Sequence, residues 1–355
     1  MTDVFAYVGG YTTPDRDGRG NGINVYRIDA SSGAWTHLQN IGGLENPSLF
    51  TLNRAGTRLW SVHGGRSLIS AFSIDRVSGH LTLLNQQDCG GTNPVDTALD
   101  PSERHLVVAN YGTGSVAVLP LADDGRVLPV SQSVTLEGTP GPDPVHQTQS
   151  HPHAAIFDPS GRFVVIPDKG FDRTFFFRFD GGRIAPTAQG SIASKTGAAP
   201  RHTIFHQTLP ILYVNNELDS TVTVFDWNAE TGHATESQVV TTLPGGHQGR
   251  NTTAEIATTR DGRFLYVSNR GQDSIVLYNI DPTNGHLSYV EHMPTGGTRP
   301  RFFTLKLAES HIFAANQDSD DITVFAVASD TGRLTPTGTR IHVGSPSAIS
   351  LLSAP

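Results

Sequence analysis

The chain lacks most of the features that would place it in a class at once. Its 355 residues hold one cysteine, Cys89, with no CxxC partner. A lone cysteine excludes an internal disulfide framework and suits a reducing compartment. Basic residues are not in excess: Lys and Arg number 25 against 33 for Asp and Glu, for a formal net charge of -8. That balance is the opposite of the basic face a nucleic-acid-binding protein presents. No apolar run approaches the roughly 20 residues that span a bilayer. The opening MTDVFAYVGGYTT has no basic segment followed by a long apolar one, so no signal peptide is expected. There is no GxSxG nucleophile elbow, no GxxxxGK[ST] phosphate loop and no stretch of helical period. These absences lead to the expectation of a cytoplasmic protein with neither nucleic acid nor membrane as a partner.

What the chain does contain is glycine and proline, 37 and 22 residues, and one repeated unit. The unit is an apolar strand, a DGR-like turn and a second apolar strand that in five of seven copies ends in Asn or Asp. The second strands read FAYVGG, RLWSVH, HLVVAN, FVVIPD, ILYVNN, FLYVSN and HIFAAN, with last residues at 10, 63, 110, 168, 216, 269 and 316. The period is therefore about 50 residues, with four strand-sized segments in each, the pattern of propeller blades. In the sixth copy AEIATT is the inner strand, FLYVSN the second, SIVLYNID the third and HLSYVEHM the outer one. β-Branched and aromatic enrichment in short runs favours strands, and the DPSGR and RDGR turns agree. The chain opens in a second strand and closes with SPSAISLL, which resembles an inner strand. The C-terminal segment is thus expected to complete the first blade and hide the open sheet edges. The predicted fold is all-β: a single seven-bladed β-propeller domain over 1–355, with four antiparallel strands per blade and a ring closed by its termini.

Repetition separates scaffold from site. The recurrent Asn110, Asn216, Asn269 and Asn316 read as turn caps, Arg162 and Arg263 as turn scaffold, and Phe163, Tyr213, Phe264 and Tyr266 as core. The exceptions lie at two aligned positions. At the opening of the inner strand stand Ser48, Val95, His153, Arg201, Ala254, Arg301 and Ser347. After the second strand stand Tyr11, Gly64, Tyr111, Lys169, Glu217, Arg270 and Gln317. Antiparallel pairing puts both sets at one end of the sheets, and inner strands surround the axis. His153, Lys169, Arg201, Glu217, Arg270 and Arg301 should therefore ring one mouth of the central channel. Two long Gly-containing connections, Glu137 to His153 and Leu243 to Glu255, open on the same face, where such loops commonly carry function.

Several guanidiniums beside a lysine imply an anionic ligand, because guanidinium pairs bidentately with carboxylate or phosphate. His153 is placed to exchange a proton near neutral pH, and Glu217 to accept one or orient water. His151 and His153 lie two apart, which on a strand means one face, and either one can be the residue that looks into the channel. A metal would need further ligands, with His202 or Glu255 as the candidate additions. The expected site is metal-free and uses no cofactor.

The segments YVGGYT, HPHAAIFDPSGRFVVIPDKGFDR, PRHTIFH with YVNNELDSTVTVF, AEIATTRDGRFLYVSNRGQDSI, and PRFF with AANQDSDDITVF resemble the lactonase family of seven-bladed propellers. That family includes propeller-type 6-phosphogluconolactonases and 3-carboxy-cis,cis-muconate lactonizing enzymes. The resemblance covers nearly the whole chain; only the third unit, PVDTALDPSERHLVV, has a weaker turn. It implies an active site of His153, Arg201, Glu217 and Arg270, all four of which are among the residues that the exceptions single out. The implied activity is hydrolysis of a sugar-acid lactone, with 6-phosphogluconolactone as the leading substrate. On that reading Glu217 is the general base and His153 the general acid. Arg301, Lys169, His151, Glu255 and Gln317 supply substrate contacts. The alternatives are a lactone-forming cycloisomerase acting on carboxymuconate and a non-catalytic propeller used as a binding platform.

Overall fold

A computed structural model describes residues 2–305 and 309–355. Seven four-stranded antiparallel sheets form a ring. In six blades the inner strand precedes the second in sequence; in the first it is the C-terminal strand Pro346–Ser353. That strand pairs with Val4–Gly10 from Val4↔Ser353 to Gly10↔Pro346, closing the ring as the terminal pattern predicts. The second strands fall where the repeat puts them, with Val4–Gly10 and Phe264–Arg270 each one residue longer than expected.

The alternation of burial explains why these segments are strands and where the core lies. Second strands such as Ile211–Asn216 are buried on both faces, whereas outer strands such as Leu81–Asp88 bury little. A sheet covered on both faces needs near-continuous apolar runs, which FVVIPD and ILYVNN supply. The apolar side chains gather into seven clusters, one at each junction between adjacent blades. Ile211, Tyr213, Val222 and Val224 of the fifth blade, for instance, meet Ile256, Leu265, Val267 and Val276 of the sixth. The hydrophobic driving force is therefore spent on holding neighbours side by side, which leaves the axis free for polar groups.

Polar contacts reinforce the same junctions. The hydroxyls of Tyr213 and Tyr266 donate to the Gly285 and Gly332 carbonyls of the next blade at 2.8 and 2.7 Å. Gly285 has φ of +73°, and a Cβ there would stand 2.7 Å from Ile211 Cγ1, so the turn approaches only as glycine. Arg162 donates to the Ala229 carbonyl and Arg263 to that of Ser329, each at 2.5 Å, which makes both arginines scaffold.

Candidate active site

Each inner strand begins with a β-bulge, and the bulge carries the site residue. Pro200 pairs with Asn216 and His202 with Asn215, so Arg201 has no partner opposite it. The same slip isolates Ser48, Val95, Arg301 and Ser347. Thr253↔Asn269 followed by Ile256↔Val267 leaves one extra residue in the sixth blade. Pro152↔Asp168 followed by Ile156↔Val165 leaves one in the fourth, where His153 stands. A bulge bends its strand and re-aims a side chain, here out of the sheet stack and toward the axis.

A second device fixes the other position. The backbone N–H of Glu217 donates to the Ala199 carbonyl at 2.7 Å, that of Lys169 to His151 at 3.0 Å, and that of Gln317 to Arg299 at 3.0 Å. Tyr11, Gly64 and Tyr111 make the same bond to Ser345, Asn46 and Asn93. These bonds hold both residue sets at one end of the sheets. Ala199 and Arg299, just before the inner-strand prolines, sit at φ of +57° and +60°, a left-handed conformation that strains a side-chain-bearing residue.

Glu217 is the hub. Its carboxylate lies 2.8 Å from Lys169 Nζ, 3.0 Å from Arg201 Nε and 3.2 Å from Arg270 Nη2. All four side chains are at most 8% exposed. Arg201 also donates to the Ala254 carbonyl, and Arg270 to that of Thr253 at 2.7 Å. Carbonyls of the sixth blade's inner strand thus hold both guanidiniums in place. Three cations around one carboxylate leave net positive charge in a desolvated place, where it acts strongly on an anion.

These contacts decide the protonation states. Burial alone would raise the Glu217 carboxyl, but Lys169, Arg270 and Arg201 overrule it and hold it well below the carboxylate range. Burial pulls Lys169 down, against the pull of Glu217. Burial, then Arg270 and Arg301, also lower Arg201, which stays charged at neutral pH. His153 is driven well below the usual imidazole value by burial first and Arg201 second. It is therefore neutral at pH 7, and its Nδ1 is buried with no hydrogen-bond partner among the described residues.

Around His153 lies an aromatic and acidic surround. Tyr111 meets it edge-on with ring centroids 5.6 Å apart, and His202 stands 5.2 Å away. His202 Nδ1 pairs with the Glu255 carboxylate at 3.2 Å. Asp96, from the third blade, accepts the Ala155 N–H at 3.0 Å and so satisfies the interrupted inner strand of the fourth. Burial pushes Asp96 up to about 7.

Three cavities open here. One of about 490 Å³ is lined by Glu217, Arg270, His146 and Arg250 among others, and a second, of about 580 Å³, by Tyr11, Arg16, Arg301 and Gln317 among others; Arg299 and Asp318 border both. The third, about 20 Å³ and large enough for a single water, is bounded by His153, Arg201, His202 and Arg301. Above them the two long connections meet, His146 Nε2 lying 2.6 Å from Arg250 Nη2.

Lys169, Arg201, Glu217 and Arg270 thus converge as the sequence predicts. His153 borders the same cluster, and Arg301 lines both the second cavity and the third. Gln317 lines the second cavity. His151 and His153 both meet the ring of Tyr111, and His153 borders the third cavity. His151 stacks on Tyr111 at 4.2 Å and meets its carbonyl through Nδ1 at 2.9 Å. Glu255 is held by His202, one residue beyond the bulge position. Among the described residues no three His, Cys, Asp or Glu side chains gather as a metal site. Sequence reasoning passed over Asp96 and Arg16, set Tyr111 on the aligned ring without a role, and reached His146 and Arg250 only as part of the two long connections. Arg16 lies in TTPDRDGRGNG, the long turn after the first second-strand, whose length was the available signal.

The fold and this cluster define a seven-bladed propeller with a buried cationic site at one mouth of its channel. The family model for the lactonase, 7-bladed beta-propeller family matches residues 5–351, and the chain belongs to that family. It is 33% identical to a 6-phosphogluconolactonase of Bacillus subtilis, over 99% of both chains. It is 30% identical to another of Formosa agariphila, over 94% of this chain and 96% of that one. The solved structure of a periplasmic gluconolactonase from Pseudomonas aeruginosa superposes with a TM-score of 0.92 at 31% identity, covering 99% of this chain and all of the other.

Proposed function

We propose that this protein hydrolyses a sugar-acid lactone, with 6-phosphogluconolactone as the leading substrate. The observation that carries the reading is a neutral, buried His153 with a free ring nitrogen beside a cluster of net positive charge. Water gives a proton to that nitrogen as its oxygen bonds to the lactone carbonyl carbon. The carbonyl electrons move onto oxygen, where Arg201 and Arg270 stabilise the charge. Collapse of the adduct re-forms the carbonyl and breaks the bond to the ring oxygen, which takes the proton back from His153. Glu217, saturated by three cations, is a poor proton acceptor. Its role is to position Lys169, Arg201 and Arg270, and the base role assigned to it from the sequence passes to His153. The full-length similarity to 6-phosphogluconolactonases supports the substrate class.

The test is lactone opening by purified, chelator-treated protein, corrected for spontaneous hydrolysis. Turnover well above background that Arg201→Ala abolishes is the expected result; a rate equal to background overturns the reading. The free, buried Cys89 supports a cytoplasmic setting, which cell fractionation checks. The paired termini support one cooperative unit over 1–355, which should unfold in a single calorimetric transition.

A further inference from the structure

The 580 Å³ cavity beside the cationic cluster carries arginines that have no ion-pair partner among the described residues. Of the four arginines on its walls, Arg19 is paired with Asp320 at 2.7 Å and Arg299 with Asp318 at 3.7 Å. Arg16 and Arg301 pair with no carboxylate among the described residues. Instead both guanidiniums rest near the ring of Tyr11, at 5.7 and 5.3 Å from its centroid. Asp15 on the rim is drawn to Arg66 at 3.5 Å, and Asp17 is exposed.

Arg16 is aimed rather than loose. Its Nη2 donates to the Asn93 side-chain oxygen at 2.9 Å, and the same oxygen accepts the Gly65 N–H at 2.7 Å. A guanidinium has five N–H donors, so most of its capacity stays available. Gln317 is a further, independent pointer to a ligand. It is 7% exposed, lines this cavity, and its side-chain oxygen has no hydrogen-bond partner among the described residues. A buried acceptor of this kind is costly unless something supplies a donor. A ligand with one strongly anionic group and neighbouring hydroxyls satisfies all three residues together. The cavity's volume lies within the range of small-molecule sites.

We propose that Arg16, Arg301 and Gln317 form a subsite for the distal phosphate end of a phosphorylated sugar lactone, the arginines holding the phosphomonoester and Gln317 accepting from a sugar hydroxyl. The assignment rests on the lactonase reading above and deepens it. Arg301 lines the single-water cavity beside His153 as well, so an anion held there leaves the other end of the ligand near the reacting groups. Two guanidiniums match a dianionic phosphate in charge and in fork geometry, and lysine would match only in charge.

The experiment compares kcat/KM for a phosphorylated lactone with that for its unphosphorylated counterpart. In Arg16→Ala the ratio of the two should fall at least tenfold, mainly through KM for the phosphorylated substrate, and Arg16→Lys should restore part of it. A ratio within twofold of wild type, whatever the absolute rates, overturns the subsite. Calorimetric titration with inorganic phosphate gives a reading that needs no turnover. Binding to the wild-type protein that weakens at least tenfold in Arg16→Ala and in Arg301→Ala supports the subsite; equal binding in all three proteins, or none in any, overturns it. Absence of lactone turnover in the wild type counts against the hydrolase reading alone, because the phosphate titration still decides the subsite.

Discussion

Blades four to seven and blades one to three share one backbone plan but carry different side chains on it. Bulge and following residue read His153 and Lys169, Arg201 and Glu217, Ala254 and Arg270, and Arg301 and Gln317 on one arc of the ring. On the other they read Ser347 and Tyr11, Ser48 and Gly64, and Val95 and Tyr111. The same register slip and the same closing hydrogen bond recur on both arcs. The neutral arc shows that the bulge is a property of the scaffold, independent of chemistry. The charged arc shows what else a site needs: a carboxylate to offset three cations, and strand carbonyls to hold the arginines. Tyr11 and Tyr111 then serve as the neutral arc's contribution, one beside Arg16 and Arg301 and the other edge-on to His153.

The comparison breaks most sharply at Glu217. Glu217→Gln leaves buried cations without their counter-charge and should destabilise the fold by about 3–5 kcal/mol, with loss of turnover. Val95→Ala, at the bulge of a neutral blade, should stay within about 1 kcal/mol; similar losses from the two changes in denaturant titrations would erase the distinction between the arcs.

His153→Gln should lower kcat/KM by about 10²–10⁴-fold while the unfolding midpoint moves little. In the native enzyme the acid limb of the rate profile should fall below pH 6.5, the ordinary imidazole value, because burial and Arg201 keep the ring neutral to lower pH. A limb at or above that value would mean that another group is the base.

Stability should itself depend on pH in two stages. His153 and His202 have folded values below 6.5, so as pH falls through 6.5 the unfolded chain takes up protons that the folded one refuses, and stability declines. Glu217 has a folded value well below 4.5, so its contribution is complete above 4.5 and is lost progressively as pH falls from 4.5 through that lower value. Unfolding free energies measured from pH 8 to pH 4 should therefore slope downward from 6.5. A flat curve across pH 6.5 to 5 would contradict the neutral, buried histidines.

The smallest effect belongs to the scaffold common to both arcs. Tyr213→Phe removes one hydroxyl bond to Gly285 and should lower stability by about 1 kcal/mol, with lactone turnover unchanged. A change in turnover would show that the blade junctions communicate with the site.

Much of this was legible in the sequence because propeller strands repeat their burial pattern blade by blade. The alignment of His153, Lys169, Arg201, Glu217, Arg270 and Arg301 needed only the period and the antiparallel rule. Which of His151 and His153 looks into the channel stayed open in the sequence because simple alternation assumes an unbroken strand, and the extra residue at His153 interrupts the register there. Arg16 was passed over because it lies in a turn within a blade, outside the two connections whose length drew notice.

The sequence by itself therefore determined the number of blades, the closure of the ring and the ring of positions where charge replaces the repeat. These depend on apolar periodicity and turn residues, which act within one unit of about 50 residues. Only the tertiary structure decided that Glu217 is saturated by three cations, and that, among the described residues, His153 is neutral with an unpartnered nitrogen and Arg16 and Arg301 meet no carboxylate. Proton affinity and ion pairing depend on distances and desolvation between blades far apart in the chain, and no local pattern encodes those.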